Sequence, residues 1–106
     1  MRYIFRASTE TLAQLHAAIG TGKANATPSS ELRTAFDMSA RELRKAIELL
    51  RRGGAPILAS ITNGGGYYLP ETTAEASEYL RIAEARIRSE KSALDSIRKY
   101  AKGEGA

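Results

Sequence analysis

The sequence contains no cysteine, which excludes disulfides, thiol chemistry and thiolate metal ligands. Its apolar runs are only a few residues long, so no segment predicts a membrane-spanning helix. The first ten residues, MRYIFRASTE, are too poor in apolar residues for a secretory signal, and we expect a cytoplasmic protein. The single histidine, His16, and the scattered carboxylates do not suggest a metal site or acid–base catalysis. We predict no enzyme activity, no cofactor and no small-molecule ligand.

Positive charge is concentrated in one short segment. The net charge is +4 and the pI about 9.6, values that favour an anionic partner. Residues 39–52 carry five Lys and Arg against two acids, an excess of three that equals the whole excess of residues 1–72, with nine against six. Residues 53–80 contain neither Lys nor Arg. A binding surface for an anion is therefore predicted on residues 39–52.

Local signals predict three helices in the first half of the chain. Apolar spacing indicates a first helix over residues 9–19, and ELRTAF forms a second helix of about two turns. Ser39 and Glu42 form a capping box, in which each side chain satisfies a backbone N–H of the other, so a third helix begins at residue 40. The glycines at 53 and 54 end it.

The third helix is amphipathic. Its apolar stripe consists of Leu43, Ile47 and Leu50, which at about 100° per residue point to one side. The opposite and flanking positions are occupied by Arg41, Arg44, Lys45, Glu48, Arg51 and Arg52. The polar side is either a nucleic-acid-binding surface or a solvated face on which Glu48 pairs with Lys45 or Arg52.

A β-hairpin follows the third helix. PILASI and YYLP have the residues of two strands, and TNGGG between them contains Asn63-Gly64, a pair typical of a type I′ turn. We expect Tyr67 and Leu69 to face the core and Tyr68 to point outward. The glycine-rich tip either brings main-chain N–H groups to phosphates or only reverses the chain.

A helix over residues 73–102 forms the end of the chain, followed by a flexible tail at 103–106. Apolar residues recur in it at three- and four-residue intervals, and the seam is interrupted only at Glu90. This seam predicts a homodimer with the interface residues Leu80, Ala83, Ile87, Leu94, Ile97 and Ala101. The alternatives are a helix that packs across its own domain and a solvated rod.

Over roughly residues 9–72 the chain resembles the winged helix-turn-helix family, and the matching residues are SSELRTAFDMSARELRKAIELLRRGGAPILASITNGGGYYLP, 29–70. The similarity is greatest to small winged-helix proteins of phages and prophages and to the DNA-binding end of biotin-repressor-like regulators. Its features are a Glu-Leu start, a turn ending in Ser39, the LR and PI pairs, and a Gly-Tyr-x-Leu return strand. The chain departs from the family at Arg33, usually a small residue, and at Asp37, usually a glycine. Aspartate tolerates a left-handed turn better than most residues.

The chain is therefore predicted to be mainly α-helical with a small β-hairpin: a winged helix-turn-helix domain over residues 1–72, as the resemblance implies, followed by the long helix. It implies that the third helix is a recognition helix that binds double-stranded DNA in the major groove. The predicted DNA-binding residues are Arg33, Ser39, Arg41, Arg44, Lys45, Glu48, Arg52, Asn63, Gly64, Gly65 and Tyr68.

The implied role is that of a transcriptional regulator or a phage-type DNA-binding factor. The alternative is a protein-interaction module in a phage replication or packaging assembly. In a dimer, a twofold axis would relate two recognition helices, and the DNA site would be an inverted repeat with half-sites one helical turn or a multiple apart.

Overall fold

The computed structural model describes residues 7–61 and 65–103. Over these ranges the chain is mainly helical, with four α-helices and a small sheet, which confirms the predicted content and order of helices. The elements are α1 Thr9–Ala18, β1 Gly20–Thr21, a 3-10 turn Lys23–Asn25, β2 Thr27–Pro28, α2 Ser29–Phe36, α3 Ala40–Arg52, β3 Leu58–Ser60, β4 Gly66–Leu69 and α4 Thr73–Ala101. By its contacts the chain divides into two units, Met1–Thr73 and Ala74–Ala106.

Side-chain caps fix the starts of α1 and α3. The Ser8 hydroxyl accepts the N–H of Thr11 at 3.0 Å and begins α1. At α3 the predicted capping box is present: the Ser39 hydroxyl accepts the N–H of Glu42 at 3.1 Å, and the Ser39 N–H donates to the Glu42 carboxylate at 2.9 Å. Each group satisfies a donor that the first helical turn leaves unpaired, so α3 starts at residue 40 as expected.

A turn of three residues joins α2 to α3. Asp37 has φ 51° and ψ 52°, which confirms the left-handed conformation expected where a glycine is more usual. The N–H of Met38 donates to the carbonyl of Arg33 at 2.9 Å, so the end of α2 is closed by the backbone of the turn. The turn therefore holds α2 and α3 at a defined angle without a glycine.

The apolar sides of α1, α2 and α3 meet in one core. The buried cluster consists of Leu15, Ile19, Leu32, Leu43, Ala46, Ile47 and Ile57. Leu43 and Ile47 belong to the stripe predicted from helical spacing, and Leu50, its third member, is half-buried against the same cluster. Each large aliphatic side chain contributes about 1.5–3 kcal/mol through its removal from water. The packing fixes which side of α3 faces outward.

The strand β4 is central in the sheet. It pairs antiparallel with β3 along one edge, and along the other with β2 antiparallel and with β1 parallel. The two-residue strands β1 and β2 were not predicted. At Gly66 a Cβ atom would lie 2.6 Å from the carbonyl oxygen of Thr27 on β2, so the close pairing of these strands requires glycine.

The orientation predicted for β4 is right for two residues and wrong for one. Tyr67 and Leu69 pack against the helical core, as expected. Tyr68 is not outward: it is only 4% exposed and lies directly across from buried Leu58 on the other face of the sheet. β4 has buried residues on one face and partly buried residues on the other, so it lacks the solvated face that was assumed. Tyr68 is therefore removed from the predicted DNA-binding residues.

The second unit consists chiefly of α4. The helix runs from Thr73 to Ala101, close to the predicted range, and none of its side chains is buried. It carries two ion pairs between residues three apart, Arg81 with Glu78 at 2.7 Å and Arg98 with Asp95 at 2.8 Å. The hydrogen bond and charge of Arg81 lower the pKa of Glu78, and Glu78 in turn raises the pKa of Arg81. No helix within the described ranges is both long and apolar enough to cross a membrane.

Candidate nucleic-acid interface

The outer face of α3 is cationic and exposed. Leu43, Ala46 and Ile47 are buried, so the positions opposite them on the helical wheel point to solvent. The exposed cations on this outer side are Arg41, Arg44, Lys45 and Arg52. The structure thus brings together on one helix four of the residues predicted to bind DNA, within the 13 residues of α3.

Glu48 partly neutralises the C-terminal half of this face. Its carboxylate lies 3.6 Å from the Lys45 ammonium and 2.6 Å from the Arg52 guanidinium. Both pairs expected for a solvated helix face are therefore formed. All three side chains remain substantially exposed, so each pair contributes only about 0.3–0.5 kcal/mol to the helix. Such weak pairs can exchange for contacts with phosphates.

The first turns of α3 carry two of these exposed arginines. Arg41 and Arg44 are both exposed and lie within the first five residues of the helix. In the part of the chain that the structure describes, Arg44 takes part in no ion pair and no side-chain hydrogen bond. Its guanidinium fork can make two parallel hydrogen bonds to the O6 and N7 atoms of a guanine or to a phosphate.

Arg51 has a structural role that the sequence did not reveal. Its Nε donates to the carbonyl of Ile57 at 2.9 Å and ties the last turn of α3 to the chain entering β3. In the sequence, Arg51 is only an arginine shortly before a Gly-Gly turn. Cations are common in the last turn of any helix, so its position did not indicate this hydrogen bond. Arg51 is therefore a cation of α3 whose side chain is bound within the protein, so its substitution can serve as a control for substitutions of the exposed cations.

Arg33 and Ser39, beside the α2–α3 turn, are exposed, and each already forms a hydrogen bond within the protein. Arg33 lies in the last turn of α2, and its Nε is 3.4 Å from the carbonyl of Met38, a long hydrogen bond across the turn. Its side chain points outward, so it does not separate the two helices. The Ser39 oxygen accepts within the capping box, which leaves its hydroxyl hydrogen available to an acceptor such as a phosphate.

The hairpin gives little support to its predicted role in binding DNA. Asn63 and Gly64 lie outside the described residues. Gly65 is half-buried with φ 95°, and its carbonyl accepts the N–H of Ser29 at 3.1 Å, which joins the hairpin to the start of α2. The described part of the hairpin includes Ile61, an exposed apolar residue.

Other kinds of site have less support. An open cavity of about 440 Å³ lies beside the 3-10 turn and the sheet, and among the described residues that line it only Lys23 is charged. Within residues 7–61 and 65–103 no three acidic, His or Cys side chains are grouped as metal ligands. His16 is half-buried on α1.

Comparison with known proteins returns no match: no protein-family model, no curated protein and no solved structure matches the chain.

Proposed function

We propose that the chain is a winged helix-turn-helix protein that binds double-stranded DNA with α3. The proposal is supported by the order of elements: three helices, then two antiparallel strands, with β2 before α2 pairing beside the return strand β4. It is also supported by the three-residue turn that places α3 directly after α2. In this arrangement the second helix of the motif enters the major groove.

The observation that carries the proposal is the division of α3 into two sides. One side is sealed in the core by Leu43 and Ile47, and the other exposes cations over its whole length. The major groove is wide enough to admit an α-helix. A helix can enter it only if one of its sides is not covered by the rest of its domain. Arg41 and Arg44 reach base edges or the adjacent backbone from the first turns, and good pairing of an arginine with guanine contributes about 1–3 kcal/mol of discrimination.

Binding is strongly dependent on salt, because each phosphate that is neutralised releases condensed counterions. In this proposal Lys45, Arg52 and Arg33 contact phosphates, and Ser39 contributes a hydroxyl beside the helix start. The chain acts in the cytoplasm as a transcriptional regulator or a phage-type DNA-binding factor, and as a homodimer through α4.

A second candidate function is protein recognition by the same surface within a phage replication or packaging assembly. Two observations favour it: Glu48 partly neutralises the face, and the hairpin has no cationic side chain because residues 53–80 contain none. An acidic protein surface would be the partner.

The experiment is selection of bound fragments from a pool of random duplex DNA at physiological salt. The full-length chain is compared with the double variant Arg41→Ala/Arg44→Ala and with Arg88→Ala, an exposed arginine of α4. We expect an enriched consensus from the wild type and from Arg88→Ala, and its loss from the double variant, with all three chains equally helical by circular dichroism. No enrichment over the pool by the folded wild type would contradict sequence-specific binding and favour the protein-recognition function.

A further inference from the structure

The helix α4 exposes a regular apolar seam. Leu80 is 53% exposed, Ile87 62% and Ile97 63%, although they recur at the spacing of a coiled-coil core. Most of the stability of helices in proteins comes from burying such a face, and contiguous exposed apolar patches mark interaction sites. The seam is therefore a candidate interface, and the charges of the helix indicate which partner fits it.

Charge is distributed unevenly along α4. Residues 73–85 carry three acids and one arginine, whereas residues 86–101 carry five cations and two acids. A second copy that runs in the opposite direction places the acidic part of each helix beside the basic part of the other. A second copy that runs in the same direction places like charges together.

We propose that α4 pairs with α4 of a second copy in antiparallel orientation, with residue i facing residue 177 − i. This inference rests on the homodimer of the proposed function and is independent of DNA binding. The register follows from the seam itself, because every apolar seam position then faces another seam position. The four facing pairs are Ala76 with Ala101, Leu80 with Ile97, Ala83 with Leu94, and Ile87 with Glu90. Each pair joins an a position of one helix with a d position of the other, as antiparallel coiled coils require.

The residues that flank the seam agree with this register. Glu84 lies within about 3 Å, measured along the axis, of Lys91 in the second copy. On the other flank of the seam, Tyr79 of one copy likewise lies within about 3 Å, along the axis, of Tyr100 in the other copy. By the twofold symmetry each contact occurs twice. Neither Glu84 nor Lys91 belongs to an ion pair within the described chain, so both are available.

Glu90 distinguishes the two orientations further. In a parallel pair it would face Glu90 of the second copy in the same core layer, and the two carboxylates would repel. A parallel pair would also direct Arg86 toward Lys91 of the second copy, five residues along. In the antiparallel register Glu90 faces Ile87 and lies about 1.5 Å along the axis from Arg86 of the second copy, on the same side of the seam. A seam carboxylate then has a cation beside it.

The test uses the absence of native cysteine. Ala83→Cys and Leu94→Cys are made separately in the full-length chain, oxidised alone and as an equimolar mixture, and separated on a non-reducing gel. We expect a disulfide between the two different variants in the mixture and none above background from either variant alone, with neither result depending on added DNA. Disulfides within each single variant would show parallel pairing. A monomer by sedimentation equilibrium at concentrations up to about 100 µM, with no crosslink, would overturn the pairing altogether while leaving DNA binding to be judged separately.

Charge reversal provides a second, non-covalent measurement. Lys91→Glu opposes Glu84 twice in the antiparallel pair, so the dimer dissociation constant should rise about tenfold. The double variant Glu84→Lys/Lys91→Glu restores the attraction and should return the constant to near the wild-type value. In a parallel pair Lys91→Glu would instead meet Arg86 and strengthen the dimer. Circular dichroism of each variant shows whether α4 remains helical.

Discussion

Replacing Glu48 with glutamine tests whether the outer face of α3 approaches a polyanion. The substitution keeps the size of the side chain and removes the carboxylate that lies 3.6 Å from Lys45 and 2.6 Å from Arg52. If this face binds DNA, the variant should bind more tightly than the wild type, because a negative charge beside the phosphates is lost and two cations are released.

The magnitude follows from the number of phosphates gained. One or two additional phosphate contacts should steepen the slope of log K against log salt by about 1–2, since each contributes about 0.9. Each such contact amounts to roughly eightfold in affinity at 0.1 M salt relative to 1 M salt. The loss of two exposed ion pairs should cost the fold less than about 1 kcal/mol. Affinity and stability should therefore change in opposite directions.

The assay is fluorescence anisotropy of a labelled mixed-sequence duplex of about 20 base pairs, titrated at several salt concentrations. The matched control is Glu78→Gln on α4, which also removes a carboxylate paired with an arginine, here at 2.7 Å. Equal affinity and equal salt slope for Glu48→Gln and the wild type would refute the placement of this face against DNA. An equal gain from Glu78→Gln would show that only the net charge matters.

Three further substitutions separate fold from function. Ser39→Ala removes the hydroxyl of the capping box and should lower the free energy of unfolding by about 1 kcal/mol, measured by urea denaturation; no loss would show that the cap is not stabilising. Arg51→Ala leaves the carbonyl of Ile57 without its donor at 2.9 Å and should cost about 1–2 kcal/mol in stability while changing DNA affinity less than Arg44→Ala does. Gly66→Ala would place a Cβ atom 2.6 Å from the carbonyl oxygen of Thr27, so a loss of about 1–3 kcal/mol is expected in the same assay, and a neutral result would mean that β2 and β4 can separate freely.

The sequence predicted features that depend on neighbouring residues. The start of α3 follows from Ser39 and Glu42, which are three positions apart and satisfy each other's backbone donors. Asp37 was expected in a left-handed turn because the short polar side chain of aspartate tolerates that conformation, and the structure confirms it. The buried side of α3 was likewise predictable, because apolar spacing of a single helix determines which side faces the core.

The remaining features depend on pairing between distant segments. Tyr68 is buried on the face of β4 that points away from the helical core, and alternation along a single strand does not reveal that both faces are covered. The strands β1 and β2 are too short to have a pattern, and they exist only because β4 offers them an edge. The hydrogen bond of Arg51 to Ile57 requires the turn between them to bring the chain back. Of the candidate site, the exposed cations of α3 were predictable and the outward Tyr68 was wrong.

The most direct test of the central claim is a map of backbone amide chemical shifts as a mixed-sequence 16-base-pair duplex is added at about 50 mM salt. If α3 binds DNA, the largest changes should fall in residues 39–52, on the side of Arg41, Arg44 and Lys45, and they should disappear together as the salt is raised. Changes confined to the cationic second half of α4, with residues 39–52 unaffected, would contradict it.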